Sequence, residues 1–147
     1  LPHGVVVSRS IDTNSGLDFL ILQLPSGRSL YYPKPAITQN RFGRPSVSYM
    51  GQNQTTKKWE RIETYGGKLA ENLTQAVARD CLADAITRLE EAGFPVVFHI
   101  HDEIVVDVSP EKQDLAEMKR LMAAVPKWAE GLPLKAEGWS NEFFKKD

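Results

Sequence analysis

The chain has 147 residues, 41% of them hydrophobic and 25% charged, and a formal net charge of −1. Those values fit an ordinary globular chain able to bury a core, and no apolar run approaches the ~20 residues needed to cross a bilayer. The near-zero charge argues against a free-standing nucleic-acid binder, which is usually basic.

In chain order, Leu1-Pro2-His3-Gly4-Val5-Val6-Val7 lacks the basic flank and long apolar stretch of a signal peptide. Residues 5–7 read as a short strand, and residues 17–24 as a stronger one. Pro25-Ser26-Gly27-Arg28 is a turn tetrad, and Leu30-Tyr31-Tyr32 returns as a strand that Pro33 and Pro35 stop. Residues 37–45 are polar and read as a mobile loop. Residues 47–50 and 59–64 suggest a further strand pair around the loop Gln52-Asn53-Gln54-Thr55-Thr56.

Tyr65-Gly66-Gly67 marks a break, after which the period changes. Leu69, Leu73, Val77, Leu82, Ala85, Ile86 and Leu89 fall on one helical stripe. A helix is predicted over residues 68–92, ending at Gly93 with Pro95 just beyond. Asn72, Gln75 and Arg79 recur at i, i+3 and i+7 and are expected to share a polar face, with Glu71 also off the stripe. Lys57, Lys58, Arg61, Lys68 and Arg79 cluster before and on this helix; on charge alone a solvated surface explains them. Cys81 is the only cysteine, so no intrachain disulfide forms. It lies mid-helix among apolar residues, as a buried, inert thiol would in a reducing, intracellular setting.

Val96-Val97-Phe98-His99-Ile100 and Ile104-Val105-Val106-Asp107-Val108 then flank His101-Asp102-Glu103 with no Gly or Pro between. Two apolar, β-branched runs read as a tight hairpin with its acids at the tip or on its last rungs. A carboxylate in so apolar a setting is costly unless a cation meets it, and a divalent metal carrying a phosphate is one such partner. The alternative is a polar turn that faces water. Ser109-Pro110-Glu111 reads as an N-cap, a first-turn proline and a first-turn acid of a second helix, with Leu115, Met118 and Met122 on its buried stripe. Residues 132–137 suggest an edge strand. The tail from Trp139 carries aromatic anchors without a clear period. The order predicts a single α+β domain over residues 1–147, an antiparallel β-sheet with two main helices packed on one face.

His101-Asp102-Glu103 between apolar strands resembles the C-motif hairpin of family A DNA polymerases, the DNA polymerase I type. The match extends further. Tyr65-Gly66-Gly67-Lys68-Leu69-Ala70-Glu71-Asn72-Leu73-Thr74-Gln75-Ala76-Val77-Ala78-Arg79-Asp80 is similar to the long palm helix before that hairpin in the phage and prophage branch. Leu24-Pro25-Ser26-Gly27-Arg28-Ser29-Leu30-Tyr31-Tyr32 resembles the hairpin upstream of that helix. Trp128-Ala129-Glu130-Gly131-Leu132-Pro133-Leu134-Lys135-Ala136-Glu137-Gly138 resembles the closing strand, and Lys145-Lys146-Asp147 a native terminus.

The resemblance implies half of a polymerase palm, a DNA-directed DNA polymerase segment using Mg²⁺ in two-metal nucleotidyl transfer. Asp102 would be a metal-binding catalytic carboxylate and Glu103 its supporting acid. His101 would lie near the primer terminus, and Gln75 and Glu71 near the minor groove of newly formed pairs. Arg79 and Lys68 are candidate contacts to the DNA backbone. The implied partners are primer–template DNA, a dNTP and the rest of the polymerase: the first palm Asp motif, the fingers and the thumb. Two of these motifs have partial echoes here. Asp18-Phe19-Leu20 begins like the first Asp motif, but Gln23 and Leu24 follow where Glu and Arg are expected. Lys58, Ile62, Tyr65 and Gly66 match half of the fingers motif, but Gln54 stands in place of its Arg. The chain therefore reads as a cloned fragment, a truncated prophage remnant or half of a split enzyme, inactive by itself.

Three other readings compete. A hydrolase using His101 and Asp102 lacks a Gly-x-Ser-x-Gly elbow, and adjacent strand residues point to opposite faces. A zinc site on His99 and His101 wants two more ligands, and His3 and Cys81 are distant in sequence. The chain could also act as a non-catalytic scaffold that binds only its missing polymerase half.

Overall fold

The computed structural model describes residues 2–144; the Lys145-Lys146-Asp147 terminus lies outside them. The described residues are an α+β mix of eight strands and two α-helices. They fall into two compact units that divide within the long helix, between Val77 and Ala78.

The first unit holds two three-stranded antiparallel sheets. In one, β1 (Val6–Asp12), β2 (Leu17–Gln23) and β3 (Ser29–Pro33) form a meander. The first strand is longer than the valine run suggests, because Ser8 to Asp12 keeps pairing with β2 although its residues face water. The turn before β3 closes as its sequence requires. Gly27 takes φ 91, and the Leu24 amide donates to the Arg28 carbonyl at 2.7 Å.

The second sheet joins β4 (Ala36–Gln39), β5 (Pro45–Gln52) and β6 (Trp59–Thr64). The pairing of the last two is as the sequence suggests. Residues 37–45, expected to be a mobile loop, instead supply β4 and a tight turn. The Asn40 side chain organises that turn by accepting the Phe42 and Arg44 amides at 2.9 and 3.0 Å. Local polarity hid this strand, since asparagine turns mimic loops in composition. Tyr32 of β3 meets Tyr49 of β5 edge to face at 4.9 Å, and burial pushes the Tyr49 phenol up from its ordinary pKa.

Helix α1 (Gly66–Glu91) starts two residues earlier than expected. It ends where the glycine dictates: Gly93 takes φ 86, and its amide donates to the Glu90 carbonyl. The first half is fastened to β3 and its turn. Arg28 donates to the Ala76 carbonyl at 3.0 Å, and Asn72 donates to the Tyr32 hydroxyl at 3.1 Å. Asn72 is thereby drawn off the polar face expected for it, while Gln75 and Arg79 stay exposed.

In the second unit, β7 (Val96–Ile100) and β8 (Glu103–Val106) form a two-stranded antiparallel hairpin. Both helices pack on its apolar residues. Leu82, Ala85 and Leu89 of α1 cluster with Phe94 and Ile104, and Val96, Val106, Met118, Leu121 and Met122 surround them. Met118, Leu121 and Met122 belong to α2 (Leu115–Ala123). The α+β class of the sequence reading holds, with its strands shared among three antiparallel sheets in place of one.

Two expectations fail in this unit. Ser109 caps only a single 3₁₀ turn, Pro110–Lys112, with no side-chain cap bond. The cap of α2 is Asp114, whose carboxylate accepts the Glu117 amide at 2.9 Å. At the other end, Arg88 of α1 donates to the Leu121 and Ala124 carbonyls at 3.1 and 2.8 Å, placing a cation on the C-terminal turn of α2. Residues 132–137 pair with no strand among the described residues, so neither the edge strand nor the closing-strand resemblance over residues 128–138 appears as a strand. Pro133 removes a donor from that stretch.

Leu89 is fully buried (0% exposed) at the centre of the second unit's cluster. Leu89→Ala is expected to lower unfolding stability by about 2–5 kcal/mol, read as a drop in the urea midpoint at constant slope.

Candidate functional site

The hairpin reverses within two residues. Ile100 pairs with Glu103, leaving His101 and Asp102 as the turn. His101 takes φ 50, a left-handed conformation that histidine adopts more readily than most residues but still at a cost. His101, Asp102 and Glu103 are all exposed. Neither carboxylate has a side-chain hydrogen bond or ion pair among the described residues.

The base of the hairpin is held as firmly as its tip is open. Ile104 is buried in the apolar cluster, with Val96 and Val106 packed against it. A bulge between Val96 and Phe98 interrupts the ladder, and the Val96 amide donates to the Glu90 carboxylate at 2.6 Å. Phe98 meets Phe144 edge to face at 5.2 Å. The arrangement presents two adjacent acids to solvent from a fixed stem. Among the described residues no cluster of three or more His, Cys, Asp or Glu groups is positioned to hold a metal ion.

On the first half of α1, three of the nominated residues are linked. Lys68 pairs with Glu71 at 2.9 Å, and Gln75 donates to the other Glu71 oxygen at 3.3 Å. The Glu71 hydrogen bond is the main reason the Lys68 ammonium is raised above its usual pKa. The amide nitrogen of Gln75 keeps a second hydrogen to donate. Arg79 is exposed.

Two further titratable residues singled out in the sequence, Asp18 and Cys81, have structural explanations. Asp18 is half-buried and takes a two-pronged bond from Arg9 at 2.9 and 2.7 Å, which holds its carboxyl below the usual range. Stabilisation from that pair is present at neutral pH and is lost as pH falls through the depressed value. Cys81 is a buried free thiol, pushed up first by desolvation and then by Asp84 and Asp80. That raised pKa suits an inert packing role.

Some supports of the site were missed in the sequence. Asp114 with Glu117 three residues on is a readable capping signature, masked by the more obvious Ser109-Pro110. The bonds from Glu90 to the Val96 amide and from Arg28 to Ala76 had no sequence signal, because nothing local marks which polar side chain will find a backbone group.

Compared with known proteins, the chain is 47% identical over 129 residues to a protein named DNA polymerase from Bacillus phage SP02. The match covers 87% of this chain and 20% of that polymerase. The chain thus spans about a fifth of the length of its relative and is similar to one segment of a phage DNA polymerase. No protein-family model matches the chain, and no solved structure matches it. No helix among the described residues is long and apolar enough to cross a membrane.

The left-handed turn makes a direct prediction. His101→Gly removes the Cβ that disfavours φ 50 and should raise stability by up to about 1 kcal/mol, while His101→Val should lower it. Urea midpoints of the two variants check both signs, and a stabilised valine variant would show that the turn has another shape.

Proposed function

We propose that this chain is the C-terminal palm portion of a family A DNA polymerase of the phage and prophage branch, acting on primer–template DNA and dNTPs as part of a longer enzyme. The observation that carries the reading is the position of Asp102 and Glu103, exposed in the turn and on the first rung of a hairpin that packs one face, with Ile104 buried, against the apolar cluster. The 47% identity to a segment of a phage DNA polymerase supports it.

The donor type at the tip suits magnesium, which takes one or two protein carboxylates and keeps several waters. Asp102 would hold it, with Glu103 beside it; the remaining protein ligand would come from the first Asp motif of the rest of the polymerase. When bound, the metal would activate the primer 3′-hydroxyl and neutralise charge on the triphosphate. The protein's own part is positioning. A carboxylate on a hairpin with a packed stem keeps its place better than one on a loop. His101, at the first turn position, lies next to the acid and is assigned to the primer terminus.

The α1 residues fit a second task. Minor-groove acceptors are shared by all base pairs, so the free amide hydrogen of Gln75 can test pair geometry without reading sequence. Glu71 would repel a phosphate backbone, and its pairing with Lys68 offsets that charge. Arg79 and Lys68 are assigned to the DNA backbone.

Primer extension tests the reading. The isolated chain should incorporate no nucleotide in Mg²⁺ and dNTPs, because one metal carboxylate is not a site. In the full-length polymerase carrying this segment, Asp102→Asn should lower kcat beyond the roughly 10–100-fold that loss of a metal's outer-shell partner produces. Extension by the isolated chain, or full activity in the Asp102→Asn enzyme, overturns it.

A further inference from the structure

The overall charge of −1 conceals a division. Residues 1–77 carry nine Lys and Arg against five Asp and Glu, a net of +4, and residues 78–147 carry nine against fourteen, a net of −5. Within the basic part several cations are already used. Arg9 is paired with Asp18 and Lys68 with Glu71, and Arg28 binds a backbone carbonyl. Lys34, Lys57 and Lys58 are exposed, and they precede β4 and β6 at the same end of the β4–β5–β6 sheet.

The fold sets them at that end. The loop between β5 and β6 is fixed by Asn53. Its side chain accepts the Thr55 and Thr56 amides at 2.8 and 3.1 Å and donates to Glu60 at 2.5 Å. Its backbone closes the loop by bonding to Lys57 and Lys58, each at 2.8 Å. Gln52 donates to the Lys57 carbonyl at 3.1 Å. Directly after this loop comes Trp59, 65% exposed although it is a strand residue. Arg61 lies on the same strand face as Trp59, two residues on. Its guanidinium donates to the Lys34 carbonyl at 3.2 Å and to the Ser48 hydroxyl, which ties the Lys34 backbone to β6.

Two of these lysines are held in a conformation that L residues avoid: Lys34 takes φ 48 and Lys57 φ 58. Lysine has no side-chain bond of its own to favour the left-handed region, unlike asparagine or aspartate. Backbone cost of this kind collects at binding sites.

We propose that Lys34, Lys57, Lys58 and Trp59 form a binding site for single-stranded nucleic acid, with a base stacked on the Trp59 indole and adjacent phosphates met by the lysines. An indole open to solvent beside point cations is the combination that holds an unpaired strand without reading its sequence. The loop is already ordered by Asn53, so little freedom is lost on binding. The site rests on its own residues; only its use on an unpaired template strand rests on the polymerase reading.

Fluorescence anisotropy of a labelled oligo-dT, titrated with the full chain at several salt concentrations, tests the site. The wild-type chain should bind, with quenching of tryptophan emission and an affinity that falls with salt. Trp59→Ala should weaken binding about 5- to 150-fold, and Trp59→Phe should restore most of it. Replacing Lys57 and Lys58 by Ala should lower the slope of log affinity against log salt by about 1.4. Lys112→Ala, which removes an exposed cation outside this site, should leave oligo-dT affinity nearly unchanged. Absence of binding, tighter binding to a duplex of equal length, or equal affinity for Trp59→Ala and wild type overturns the proposal.

Discussion

The second unit is organised by one geometric constraint, a chain reversal completed in two residues between apolar strands. Pairing Ile100 with Glu103 leaves no room for a longer loop, so His101 takes positive φ, Asp102 leaves the stem toward solvent, and Glu103 stands exposed on the first rung. Everything below the turn works to keep it there. Ile104 and Val106 share one face of β8 and enter the cluster formed by Leu82, Ala85 and Leu89. The Glu90 bond to the Val96 amide fixes the start of β7 at the bulge. An exposed acid needs no partner for stability in water, so its stem, rather than a salt bridge, sets its position.

The long helix serves different neighbours along its length. Its first half is fastened by polar bonds, from Arg28 to the Ala76 carbonyl and from Asn72 to Tyr32, leaving Lys68, Glu71 and Gln75 linked on the solvent side. Its second half is fastened by apolar burial, and adds Arg88 as a cation on the end of α2. A single stripe of leucines and alanines at helical spacing runs through both halves, which is why periodicity alone predicted one helix.

What the sequence disclosed follows the strength of its local signals. The 26-residue helix, its glycine stop, the β2–β3 hairpin and the β7–β8 hairpin were readable, because each rests on a period, a turn glycine or two flanking apolar runs. Strand β4 was not, since Ala36–Gln39 is short and half exposed and its pairing with β5 carries it. Residues 132–137 failed in the opposite way: alternation suggested a strand, but strands exist only where a neighbour accepts their hydrogen bonds. The acids of the candidate site were legible as a motif. Their freedom from partners, and the bonds that hold Lys34 to β6, depend on contacts between distant residues and left no local trace.

Charge segregation joins the two proposed activities. A surplus of fourteen acids over nine bases in residues 78–147 creates a field that repels a phosphate chain and attracts divalent cations. The tip carboxylates add to it, and on the proposed reading cations would accompany a nucleic-acid end that approaches Asp102. The surplus of bases in residues 1–77 has the opposite effect and needs no metal to attract phosphate. On the two proposals, one polypeptide with near-zero net charge would carry a metal-dependent and a metal-independent affinity for the same polyanion. Salt acts on them differently as well: monovalent ions compete directly with Lys57 and Lys58, whereas a divalent ion held by carboxylates is displaced less readily. The small total charge, taken alone an argument against nucleic-acid binding, is the sum of two opposing parts.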